Sequence, residues 1–118
     1  FYENMSDELR AIVKPVWKLT ANKNGEIVKS KDYVWLKSEK ELFGRAIYSN
    51  DGEGHWYALF MQEDFPWFKL NGDNERDWQW LRSVAAGTAN YFCNVVTSGA
   101  ASSDAPGYSF GVAPAFCT

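Results

Sequence analysis

The sequence predicts a single α+β domain with many irregular loops, and three observations carry that reading. Its 118 residues fall within the span of one domain. Its patterning runs from a helix through a mixed middle to a strand-rich end, rather than alternating helix and strand. Aromatic residues make up 17% of the chain, with six Trp, six Tyr and eight Phe, and the apolar share is 46%. That is too much for a disordered segment, and a chain of this size buries about two-thirds of its unfolded surface without metal or disulfide staples.

Each element has a local signature. Ser6 reads as the N-cap of a first helix, with Asp7 and Glu8 in its opening turn and Leu9, Ile12 and Val13 as its apolar stripe. Pro15 ends it. Val16 to Thr20 alternates like a short strand, and Asn22-Lys23-Asn24-Gly25 is a turn signal. Tyr33 to Leu36 reads as a short buried strand. Ser38 and Glu41 form a capping box, and Leu42-Phe43-Gly44 closes a brief helix. Asn50 to Gly54 is loop, and His55 to Phe60 fits a strand or a short helix equally. After the turn at Asn71 to Asn74 come four short apolar stretches: Trp78 to Arg82, Tyr91 to Val96, one near Ala100, and Val112 to Phe116.

Composition excludes several classes of function. A net charge of −3 argues against nucleic-acid binding, which needs a basic stripe. No apolar run approaches the roughly 20 residues of a membrane span, and no basic-then-apolar leader opens the chain. The charge is also unevenly spread. Lys, Glu, Gln, Met and Trp fill 26 of the first 83 positions and none of the last 35. Short strands and small-residue turns account for part of that absence.

Catalytic and metal signatures are weak. His55 is the only histidine, and no Gly-x-Ser-x-Gly elbow accompanies it, so it reads as a surface or packing residue. Cys93 and Cys117 are too far apart for a zinc pattern. They are either small buried residues on neighbouring strands, the favoured reading, or one disulfide. Asp73 to Asp77 gathers oxygen ligands, but Trp78 stands where a calcium loop needs glycine, so a solvated turn is expected. Trp78 and Trp80 lie two apart and share one face of a strand. Trp80 is assigned to the core, and Trp78 is left open between core and a carbohydrate platform.

Several stretches together resemble a bacterial and phage family catalogued only as a domain of unknown function. They are Trp80-Leu81-Arg82-Ser83, Phe92-Cys93-Asn94-Val95, Ser98-Gly99 and Gly111-Val112-Ala113-Pro114-Ala115-Phe116. Phe1-Tyr2 with Asp7 to Arg10 and Ile12 to Val16 looks like that family's early helix. Trp35-Leu36, Ser38 to Glu41 and Phe43-Gly44 look like its Trp-Leu-Leu-Ser-Glu stretch. The family is similar to C-type-lectin-like domains, which implies short helices with small twisted antiparallel sheets and long irregular loops over residues 1–118. Its members usually carry further sequence upstream, which implies that this is the C-terminal part of a longer protein.

The same motifs end the variable proteins of diversity-generating retroelements. There, template Asn codons become a set of amino acids that excludes Lys, Glu, Gln, Met and Trp, the five types missing after Ser83. Template sites fall on Gly87, Thr88, Asn90, Tyr91, Asn94, Val96, Ala100, Ser102 to Ala105, Gly107, Tyr108 and Phe110, and each residue there belongs to the permitted set. Ala89, Val95, Ser98, Gly99, Gly111, Val112, Pro114 and Ala115 stay close to the family pattern. Val84 and Ala113 depart from it, standing for a Pro and an Arg.

The resemblance implies a non-enzymatic ligand-binding or adhesion module, the receptor-binding surface of a phage or bacterial protein on a virion or cell surface. Its ligand would be a cell-surface protein or glycan, met by Thr88, Asn90, Tyr91, Asn94, Ser102, Ser103, Asp104, Tyr108 and Phe110, with Tyr91, Tyr108 and Phe110 as anchors. Tyr, Ser, Gly and Asn suit such a surface. Trp80, Arg82, Gly111 and Pro114 are expected to be structural. No metal, cofactor, nucleic acid or membrane insertion is expected. The alternatives are an assembly domain of a phage tail or surface complex, and a calcium-independent lectin using Trp56, Trp67 or Trp78. The calcium-and-sugar tripeptides of vertebrate lectins are absent.

Overall fold

A computed structural model describes residues 2–62, 69–87 and 90–118, and within them the fold is α+β. Trp67, Thr88 and Ala89, singled out above, lie outside the described residues, as does Phe1. Helix α1 spans Asp7–Ile12, and the Ser6 hydroxyl accepts from the Leu9 amide at 3.2 Å as its cap. Its apolar stripe is less buried than the spacing suggests. Val13, just past the helix, is buried, whereas Ile12 remains 55% exposed.

Strands β1 (Val16–Ala21) and β2 (Ile27–Asp32) form an antiparallel hairpin in register from Val16 with Asp32 to Ala21 with Ile27. The turn forms because the Asn22 side chain accepts from the Asn24 and Glu26 amides, both at 2.9 Å. Helix α2, Glu39–Phe43, carries the complete capping box: the Ser38 hydroxyl accepts from the Glu41 amide and the Glu41 carboxylate from the Ser38 amide. Gly44 ends it at φ 82°, the left-handed conformation that glycine adopts without penalty. A 3-10 turn at Ala58–Met61 resolves the ambiguous middle stretch as helical.

Strands β3 (Lys69–Leu70) and β4 (Arg76–Asp77) flank the Asn71–Asn74 turn. The main sheet then assembles β5 (Gln79–Val84), β6 (Phe92–Val95), β7 (Ala101–Asp104) and β8 (Gly111–Val112) in the order β7-β6-β5-β8. It departs from the all-antiparallel expectation, because β8 returns along β5 in parallel. The expected Tyr33–Leu36 strand shrinks to one bridge, in which Trp35 and Ala115 exchange backbone bonds of 3.0 and 2.8 Å. A second bridge joins Lys14 to Cys117.

The core lies between α2, the 3-10 turn and the inner face of the main sheet, where Leu42, Phe60, Leu81, Cys93 and Val95 pack together. Trp80 is not among them. Strand alternation sends Gln79, Leu81 and Ser83 inward and leaves Trp80 half-buried on the other face, which corrects its assignment to the core. Cys93 is buried and Cys117 exposed, and both are free thiols. Burial, then the negative charge of Glu39 and Glu53, pushes the Cys93 thiol up from its ordinary pKa.

Three carboxylates are buried alongside this core, and each ties distant segments together. One Glu39 oxygen accepts from the Ile47, Tyr48 and Ser49 amides at 2.6, 2.9 and 3.0 Å, and from the Ser49 hydroxyl at 2.9 Å. Glu53 accepts from the Ala21 amide at 3.1 Å and the Ser83 hydroxyl at 2.5 Å. Burial outweighs those bonds, so its carboxyl sits above the usual range. Glu41 accepts from Arg82 at 2.9 Å, the Tyr57 hydroxyl at 2.6 Å and Lys18. Burial alone would raise Glu41, but Arg82, Lys18, Tyr57 and the Ser38 amide together hold it low. Arg82 also donates to the Leu36 and Leu19 carbonyls and the Thr20 hydroxyl, so it joins β5 to β1 as the structural residue expected.

Candidate functional site

Register decides which residues meet on the outer face of the main sheet. Trp80 pairs with Asn94 and Val112, Asn94 with Ser102, and Phe92 with Asp104. Residues paired directly across strands share a face. Val112, Trp80, Asn94 and Ser102 therefore form one row across the sheet, and Phe92 and Asp104 lie in the next. This face points away from the core, which takes the opposite row of Gln79, Val95 and Ala101 and the neighbouring pair of Cys93 and Ser103.

Aromatic rings cover this outer face. Phe110 sits at their centre, with its ring centroid 4.8 Å from that of Trp78, 4.7 Å from Trp80 and 5.6 Å from Tyr108. The Tyr108 and Phe110 rings stack at 6° and those of Trp78 and Phe110 at 29°, while Phe92 meets Trp80 edge-on at 6.4 Å. Tyr108 is 58% exposed, Val112 48% and Phe92 36%. Such separations and angles are those aromatic pairs prefer, so the rings hold one another in place while their outer surfaces stay wet.

The polar margin is equally ordered. Asn94 donates its amide to Asp104 Oδ2 at 2.9 Å. The side-chain oxygen of Asn94 is buried and has no hydrogen-bond partner among the described residues. Asn94 is fully buried, so it orients Asp104 and cannot itself meet a ligand, contrary to its expected role as a contact residue. Ser103 is the second departure. Its register with Cys93 turns it to the core side of the sheet, where it is partly buried.

Of the other residues expected at the site, the structure brings Ser102, Asp104, Tyr108 and Phe110 together on this face or at its edge. Tyr91 and Asn90 are exposed at the entrance to β6, Asn90 with φ 68°, beside that row rather than within it. Thr88 lies outside the described residues. Sequence reasoning missed Phe92, Val112 and Trp80 as part of this surface and left Trp78 undecided. The usable signal was the two-residue spacing of the tryptophans together with Leu81, which could not share their face if it was core.

Chemically, this face offers aromatic area and a few hydrogen-bonding groups, with Asp104 as its carboxylate. Among the described residues no three His, Cys, Asp or Glu side chains converge as metal ligands. The family described as Domain of unknown function (DUF6273) matches the chain over residues 1–118. No curated protein and no solved structure matches it.

Proposed function

We propose, starting from a chain that belongs to this family of unknown function, that it is a ligand-binding module of C-type-lectin-like architecture whose contact surface is the outer face of the main sheet. The observation that carries the reading is the cluster of five rings, Trp78, Trp80, Phe92, Tyr108 and Phe110, ordered by mutual contact yet open to solvent and edged by Asp104. Exposed apolar patches with polar rims mark interaction sites, and Trp and Tyr dominate the energetics of such contacts. The ligand is a protein or glycan on a cell surface, and the module acts in attachment as the receptor-binding part of a phage or bacterial protein. Retroelement diversification over residues 84–110 would vary Tyr108, Phe110 and the template sites on β6 and β7 while leaving Trp78 and Trp80 constant. The stacked Trp78 and Phe110 rings favour a calcium-independent lectin as the second reading, since flat aromatic pairs suit sugar faces.

The test is a glycan array and whole-cell binding, with and without EDTA, for wild type, Tyr108→Ala and Asp104→Asn. Tyr108 is a hot-spot candidate, so its truncation is expected to weaken binding about thirtyfold or more with the thermal midpoint unchanged. Binding that is unaffected by both variants removes this face as the site. Sequencing the coding DNA across a source population tests diversification: variation confined to the template sites supports it, and a uniform sequence removes it.

A further inference from the structure

A concavity lies where β1 meets the residues around Trp35, the 3-10 turn and the C-terminal segment. Its volume is about 570 Å³, within the range of small-molecule pockets. The walls are apolar, formed chiefly by Trp17, Trp35, Phe60 and Phe116. The ionisable groups in the lining are Lys18, Lys37, His55, Tyr57 and Cys117. No Asp or Glu is among its described lining residues, in a protein whose net charge is −3.

These groups are not equivalent. Lys18 is already compensated, since it is paired with Glu41 and donates to the Tyr57 hydroxyl at 2.5 Å. Lys37 is different: its ammonium donates to the Ala113 carbonyl at 2.6 Å and to no carboxylate among the described residues. Two of its three N–H donors are thus left over. Burial pulls its pKa below the ordinary lysine value, and the nearby charge of Glu41 offsets that only in part. Outside the lining, Lys29 and Lys31 stand over the Trp17 ring, 4.6 and 5.7 Å from its centroid, and add positive charge beside that wall.

We propose that this cleft binds a small amphipathic organic anion, with its apolar body against the aromatic walls and its carboxylate or sulfonate on Lys37. The pairing satisfies both halves of the site, because the walls bury apolar surface and the anion supplies the counter-charge that Lys37 lacks. It is independent of the sheet face, since none of the residues lining the cleft belongs to that surface.

The probe is 1-anilinonaphthalene-8-sulfonate, followed by fluorescence on the folded chain and displaced by decanoate, decanol or decyltrimethylammonium. The expected result is saturable binding of one dye per chain, with decanoate displacing it at concentrations about tenfold below decanol and decyltrimethylammonium weaker than both. Lys37→Gln keeps an N–H for the Ala113 carbonyl and removes the charge, so it is expected to abolish the preference for decanoate over decanol. Leu59→Asp, at an exposed position of the lining, places a carboxylate there without touching the core and is expected to weaken dye and decanoate alike while sparing decanol. Equal displacement by decanol and decanoate, unchanged preference in Lys37→Gln, or no saturable dye binding would each overturn the proposal.

Discussion

Replacing Glu41 by Gln changes one atom and removes the charge on which two buried cations depend. Lys18 and Arg82 are 9% and 11% exposed at their side chains, and Glu41 is 2% exposed. This is a buried triad, outside the regime of weak surface pairs. In the variant, the Gln NH2 also meets donors in either orientation, Lys18 and Tyr57 on one side or Arg82 and the Ser38 amide on the other. Breaking a buried pair by removing one partner costs about 3–5 kcal/mol. A chain of this length has roughly 6–18 kcal/mol in total, so Glu41→Gln is expected to lose about a sixth of the stability or more. Lys18→Met should cost less, because Glu41 keeps Arg82, and the double variant should fall short of the sum by about 0.5–3 kcal/mol.

Urea unfolding at several pH values, followed by tryptophan fluorescence and far-ultraviolet circular dichroism, measures all three. A carboxyl whose folded pKa lies below its unfolded value stabilises the fold above that unfolded value and loses the contribution as pH falls through the folded one. Glu41 is of this kind. The stability gap between wild type and Glu41→Gln should therefore be full at pH 7 and narrow below about pH 4.3. A gap under about 1 kcal/mol at neutral pH, or one that does not narrow in acid, would refute the reasoning from burial.

Two further outcomes follow from local geometry. Gly44→Ala places a Cβ 2.6 Å from the Trp56 ring at φ 82°, so a loss of about 2 kcal/mol or more is expected in the same urea titration. Cys117 should react with a thiol reagent at the rate of a free cysteine, and Cys93 only at the rate of unfolding, giving two well-separated phases by absorbance.

What could be read in the sequence was what short-range chemistry decides. Ser6, the Ser38–Glu41 box, Gly44 and the Asn22 turn each act on residues a few positions away, and each stands where the pattern placed it. The strand β2 went unread because its Lys, Ser and Asp residues are mostly exposed and lack a buried alternate face. Trp80 was misplaced for another reason. The alternation of Gln, Trp, Leu, Arg and Ser puts Leu81 and the tryptophans on opposite faces, and it is the packing of Leu42 from α2 with Leu81 that decides which of them is core. Least legible was the burial of Glu39, Glu41 and Glu53, which look like solvent-facing acids. The Glu41 and Glu53 carboxylates are satisfied by Arg82, Ser83 and Ala21, all more than 25 positions away from the glutamate each one serves, and Glu39 by the Ile47–Ser49 loop beyond its own helix.

The bridges from Ala115 to Trp35 and from Cys117 to Lys14 also constrain when the domain can form during synthesis. Ribosomes add about 5–20 residues per second, and early segments often fold as they emerge. Here the hairpin and the helices can appear early, but β5 lacks its parallel neighbour until Gly111 and Val112 are out, and Trp35 lacks its backbone partner until Ala115 follows. During that interval the open edge of β5 and the Trp78 and Trp80 rings, still without Phe110, are exposed to other nascent chains. The segment from Gly111 to Cys117 is therefore the one that closes the domain. A message truncated shortly before Gly111 should yield a chain retained by chaperones and degraded, whereas loss of a surface turn should be tolerated.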